Sequence, residues 1–166
     1  MSLKKQIVLV LSISVLLFSC GNVDDKSYAD GDAMVKNAKS KIESIDVVDL
    51  KTVMDKHYEN VVIVDCREPD EYIAKHIKGA INVPRGMFEF SPKIDNRRNT
   101  YYVYSNTDKR ASLACYSLKY LKHKNIVLVN GGINAWLKKY PELFEEGAES
   151  GEVLPVKVEE SSGCGG

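Results

Sequence analysis

Histidine is scarce in this 166-residue chain. The three histidines stand at positions 57, 76 and 123, and none lies at metal-ligand spacing from another. No bound metal and no cofactor is expected. Neither sign of charge is in excess, with 23 Lys plus Arg against 23 Asp plus Glu. The chain therefore lacks the basic footprint of a nucleic-acid binder and any single-sign field for steering a polyanion. Long apolar runs are also missing: Ile7 to Phe18 is too short to serve as a membrane-crossing helix. Cysteine is limited to positions 20, 66, 115 and 164; if Cys20 is acylated an odd three remain, so at least one is unpaired within the monomer.

What is present suffices for one sizeable core, since 44% of the residues are hydrophobic. Lys4 and Lys5 followed by the apolar run to Phe18 have the order of a secretory leader. Leu17-Phe18-Ser19-Cys20 resembles a bacterial lipobox, in which cleavage leaves Cys20 as the acylated first residue. Residues 1–19 are thus expected to be a lipoprotein signal peptide, and acyl chains on Cys20 to hold the protein to the lipid bilayer of a bacterial cell envelope, on its periplasmic or extracytoplasmic side. Residues 20–43 are polar and read mainly as a tether, with a short helix open over Ala33 to Ile42. Residues 44–147 hold the domain, and residues 148–166 form a tail ending in Gly163-Cys164-Gly165-Gly166.

Within the domain, Val61 to Val64 and Ile126 to Val129 are continuous β-branched and apolar runs, the pattern of strands buried on both faces of a parallel sheet. Tyr101 to Tyr104 is a third strand, followed by the polar residues Ser105, Asn106, Thr107, Asp108, Lys109 and Arg110. From Ala111 the spacing turns helical through Ala114, Cys115, Leu118 and Leu121. A loop between a strand's carboxyl end and a helix's amino end gathers unpaired N–H groups, and Arg110 adds a planar fork of donors. The chain is expected to form a five-stranded, mostly parallel α/β sheet with helices on both faces.

The segment Tyr101 to Ser112 resembles the active-site loop of the rhodanese family. So do Val64-Asp65-Cys66-Arg67-Glu68-Pro69-Asp70-Glu71-Tyr72, His76 to Pro84, and Asn130-Gly131-Gly132-Ile133-Asn134-Ala135-Trp136, in that order. In that family a cysteine ends the strand, four residues follow, and an arginine opens the helix. Here Ser105 holds the cysteine's place with the same spacing to Arg110. The resemblance implies an anion cradle in residues 106–110, a structural ion-pairing role for Asp65 and Glu71, and a packing or hydrogen-bonding role for His76. Arg85 lies where the family places the mouth of the site, as an anion contact or a solvated arginine.

Rhodanese chemistry carries sulfane sulfur as a cysteine persulfide, which requires a polarizable thiolate. A serine cannot form one, and no base is evident to activate the Ser105 hydroxyl. Asp108 would repel an anion in the cradle unless Lys109 draws it outward, so adding Asp108→Gly to Ser105→Cys should raise activity further. Cys115 reads as an inert core thiol. Three functions remain open: a module that binds a small sulfur-containing anion or an envelope protein partner without turnover; a sulfurtransferase or sulfur carrier using Cys164 or Cys66; and a phosphatase of the related fold. The last is disfavoured because those enzymes use a cysteine and a loop one residue longer.

Overall fold

A computed structural model describes residues 27–56 and 59–147. The chain order is α1 (Gly31–Lys39), β1 (Glu43–Ile45), α2 (Val47–Asp55), β2 (Val61–Asp65), α3 (Pro69–Ala74), β3 (His76–Ile77), β4 (Ile81–Asn82), two 3-10 turns (Arg85–Phe90 and Pro92–Ile94), β5 (Thr100–Tyr104), α4 (Asp108–Tyr120), β6 (Ile126–Val129), α5 (Gly132–Lys139) and β7 (Phe144–Glu145). Five strands form one sheet in the order β1-β6-β5-β2-β4, every pair parallel. β3 and β7 make a separate antiparallel pair.

The three strands expected from their apolar runs are the interior three, β2, β5 and β6. Their side chains feed two cores. Val64, Val103 and Leu128 pack with Ala111, Ala114, Cys115 and Leu118 of α4 and with Phe88 and Ile94 of the 3-10 turns. Ile63, Tyr104 and Val129 face the other way, onto Leu50 of α2, Tyr72 of α3 and Ile133 and Trp136 of α5. Helices thus cover both faces, as the period-2 alternation of a doubly covered sheet requires.

The residues read mainly as tether include an ordered part. Asp30 caps α1 by accepting from the Ala33 N–H at 2.8 Å, and Ala38 is fully buried where α1 packs on α4. β1 then pairs with β6 from Glu43 onward. The packed unit therefore begins ahead of Ser44. Its strand is short and mostly exposed, so no hydrophobic period marks it.

The connection leaving β2 runs outward to β4, whereas that leaving β5 runs the opposite way to β6. The carboxyl ends of β2 and β5 therefore bound a topological switch point, the crevice where open α/β sheets place ligands.

Candidate functional site

The register Asp65↔Tyr104 sets the two strand ends side by side, and the Cys66 N–H extends the ladder by donating to the Tyr104 carbonyl at 2.9 Å. Alternation then points Asp65 and Tyr104 to one face and Cys66 and Ser105 to the other.

Ser105 is buried. Its hydroxyl donates to the Thr107 carbonyl at 2.5 Å and accepts from the Ala111 N–H at 3.3 Å. Its single donor is thus used within the loop and one of its two acceptor lone pairs is taken by the first turn of α4. The loop's own carbonyls are held from a third element. The Ile133 and Asn134 N–H groups at the start of α5 donate to the carbonyls of Ser105 and Asn106, at 2.9 and 3.3 Å. This approach needs Gly132, because a Cβ there would lie 2.1 Å from the Ser105 carbonyl oxygen and its φ is +56°. The Gly131-Gly132 pair thus docks the start of α5 on the loop.

Charges around the loop are paired. Asp65 and Arg67 form a buried salt bridge at 2.6 Å, and Arg67 also donates to the Lys75 carbonyl at 2.6 Å and to Asn106 Oδ1 at 3.2 Å. Asn106 Nδ2 donates to Glu71 Oε1 at 2.8 Å. Arg110 grips the same carboxylate with both Nη atoms, at 2.6 and 2.7 Å. The Arg110 hydrogen bonds, opposed by partial burial and helped by the Glu68 N–H and Asn106, hold the Glu71 carboxyl down at about 2. The fork of donors expected to face an anion is engaged by Glu71. The structural ion-pair reading of Asp65 and Glu71 matches this geometry, and His76 stacks on Tyr72 with its Nδ1 2.9 Å from the Tyr72 carbonyl.

The Asp108 side chain is not drawn by Lys109. Its carboxylate pairs with Lys39 of α1 and accepts from the Gly131 N–H at 2.5 Å. Lys109 instead pairs with Asp32 at 2.8 Å. Arg85 pairs with Glu89 one helical step along, at 2.8 Å. An ion pair was expected of Glu71 but not its partner Arg110, and Lys39 was not expected at all; they lie 39 and 69 residues from their partners Arg110 and Asp108, beyond any local spacing rule.

Of the other thiols, Cys66 is fully buried beside Ser105. Burial first, then Asp65, pushes it up to about 12, against opposing pulls from Arg110, Arg85 and a hydrogen bond with Ser105. Burial also pushes the Cys115 thiol well up. Cys20 and Cys164 lie outside the described residues. Among the described residues no group of three or more His, Cys, Asp or Glu is placed to hold a metal, and no helix is long and apolar enough to cross a membrane.

Residues 46–139 match the family model of the rhodanese-like domain. The chain belongs to the rhodanese-like domain family. It is 33% identical over 112 residues to the thiosulfate:glutathione sulfurtransferase of Saccharomyces cerevisiae, covering 59% of this chain and 80% of the yeast protein. It is 28% identical over 109 residues to the putative sulfur carrier protein YrkF of Bacillus subtilis, covering 66% of this chain and 58% of that one. Among solved structures, a Rhodopseudomonas palustris protein described as a possible tyrosine phosphatase superposes with a TM-score of 0.62 at 27% identity, over 69% of this chain and 94% of that one. The five-stranded parallel sheet thus belongs to a rhodanese-like domain related to sulfurtransferases and sulfur carriers.

Proposed function

We propose that this rhodanese-like domain is a lipid-anchored envelope protein that binds a partner without thiosulfate sulfurtransferase turnover. The observation that carries the reading is Ser105, which stands where the family resemblance puts the persulfide-bearing cysteine. Its hydroxyl is committed to Thr107 and Ala111, and oxygen has no sulfur-carrying chemistry to offer. The charged side chains of the cradle are also paired: Arg110 holds Glu71, and Asp108 holds Lys39 and the Gly131 N–H. A small sulfur-containing anion would have to compete with Glu71 for the Arg110 fork, so a protein partner is the better fit. Acylation of Cys20, with residues 1–19 removed, supplies the anchor.

The alternative, sulfur transfer through another cysteine, draws support from the likeness to the yeast and Bacillus proteins. Cys66 is a poor candidate, because a buried thiol held up at about 12 supplies little thiolate. The alternative therefore rests on Cys164. A phosphatase reading lacks a thiolate at Ser105 as well.

The test is thiosulfate-to-cyanide sulfur transfer by the purified protein, assayed with reductant because Cys66 neighbours position 105. Wild type is expected to show negligible turnover and Ser105→Cys a partial gain. Since the Asp108 carboxylate is already held by Lys39 and the Gly131 N–H, adding Asp108→Gly should give no further gain, contrary to what the loop sequence suggests. Brisk wild-type turnover that Cys164→Ser abolishes would replace this reading with the carrier one. Intact-mass analysis of the native protein tests the acyl addition on Cys20.

A further inference from the structure

The loop's charges are paired, but a second cluster lies at the other end of α4, in the run Lys119-Tyr120-Leu121-Lys122-His123-Lys124. Tyr120 is 82% exposed and Leu121 47%, two large side chains in water between lysines. Lys119, Lys122, His123 and Lys124, with Glu43 and Ile126, line a half-open cavity of about 360 Å³. Its lining holds three lysines against one carboxylate, in a chain whose total charge balances to zero. Arg97 adds a further cation at this corner, donating to the Lys122 carbonyl at 3.0 Å.

The first 3-10 turn extends the apolar part. Its period of three eclipses Met87 and Phe90, which are 58% and 80% exposed while Phe88 between them is buried. The turn packs on α4, with Phe88 in the same core cluster as Cys115 and Leu118 of that helix, so Met87 and Phe90 are exposed alongside α4. Aromatic and aliphatic side chains beside lysines on one surface are the composition of an interfacial membrane contact.

We infer that this corner of α4 and the 3-10 turn docks on an anionic bilayer, with Phe90, Met87, Tyr120 and Leu121 entering the headgroup region and the lysine-lined cavity receiving a lipid phosphate. A bilayer, rather than a protein, is the occupant because the lysines of this corner complement anionic headgroups and the short lead from Cys20 keeps the domain within reach of a membrane. The described structure opens at Ser27, just before α1, which packs on the same α4. Seven residue steps separate Ser27 from Cys20, a reach of at most about 25 Å. A tether of that length lets α4, roughly 20 Å long at 1.5 Å per residue, lie along the membrane plane. The inference rests on the proposed anchor only for the domain's nearness to a bilayer.

The test uses the full mature chain, residues 20–166, with Cys20→Ser so that no acyl chain contributes. It is co-sedimented with phosphatidylcholine vesicles containing about one third phosphatidylglycerol. Binding is expected, and it should fall steeply between about 0.1 and 0.5 M salt and be absent on pure phosphatidylcholine. Lys119→Gln, Lys122→Gln and Lys124→Gln should each weaken it roughly fivefold, and Phe90→Ser by roughly tenfold. Val48→Ser and Ile73→Ser, on helices of the opposite face and 48% and 47% exposed, should leave it unchanged. Circular dichroism confirms that each variant is folded. No vesicle binding, equal loss in the opposite-face variants, or a dimer in sedimentation velocity that Phe90→Ser dissolves would each overturn the inference. A native protein without acyl addition would defeat the anchor reading while leaving the vesicle result intact.

Discussion

The turns leaving β2 and β5 each place an arginine against a carboxylate, yet the two pairs occupy different dielectric surroundings. Arg67 and Asp65 are 6% and 0% exposed, whereas Arg110 and Glu71 are 34% and 28% exposed. The inner pair is reinforced by the Arg67 N–H on Asp65 Oδ1 at 2.9 Å and by the Lys75 carbonyl on Arg67. Losing either member would strand a charge away from water. The outer pair keeps solvent access, so each partner can be rehydrated if the other is lost. Proximity to the switch point therefore does not set energetic weight; burial does.

The largest expected effect comes from breaking the inner pair. Asp65→Ala leaves Arg67 buried with only carbonyl and amide partners, and should lower stability by about 3–5 kcal/mol in urea unfolding. Glu71→Gln removes the outer charge but keeps a hydrogen-bonding shape, and should cost roughly 1–2 kcal/mol. Here the pH dependence sharpens the contrast. Because folding holds the Glu71 carboxyl near 2, below its ordinary value of 4.5, its contribution is complete above that ordinary value. It is lost as pH falls from there toward about 2. The stability gap between wild type and Glu71→Gln should therefore close over that acid range. A gap that persists below about pH 2 would place the effect in packing rather than charge. Lys39→Met breaks a third pair, with Asp108, whose members are 37% and 27% exposed. It should change stability by less than about 1 kcal/mol, while speeding hydrogen exchange at Gly131, whose N–H the freed carboxylate would hold less firmly.

The same distinction explains what could be read from the chain in advance. β2, β5 and β6 were legible because strands buried on both faces are apolar throughout. The loop was legible because a polar run between a strand pattern and a helical pattern has few other meanings. The helical pattern itself first shows at Ala111, whereas α4 begins at Asp108, since its exposed first turn carries no apolar stripe. β1 and the β3–β7 pair contain two or three residues each, too few for a period to show. The pairings of Arg110 with Glu71 and of Asp108 with Lys39 were hidden for a different reason. They join residues that only the tertiary fold brings together, and nothing in the spacing of a lysine on one helix announces a carboxylate on another. Charge type at the loop was readable; charge partnership was not.

The contact between Lys39 and Asp108 has a practical consequence for anyone cutting the gene. The family match begins at residue 46, and a fragment started there would carry every residue of the loop after β5. It would nonetheless lack α1 and β1, uncover the surface of α4 that Ala38 packs against, remove the outer neighbour of β6, and leave Asp108 with the Gly131 N–H as its remaining partner. Expression boundaries for this protein belong ahead of Asp30, the cap of α1.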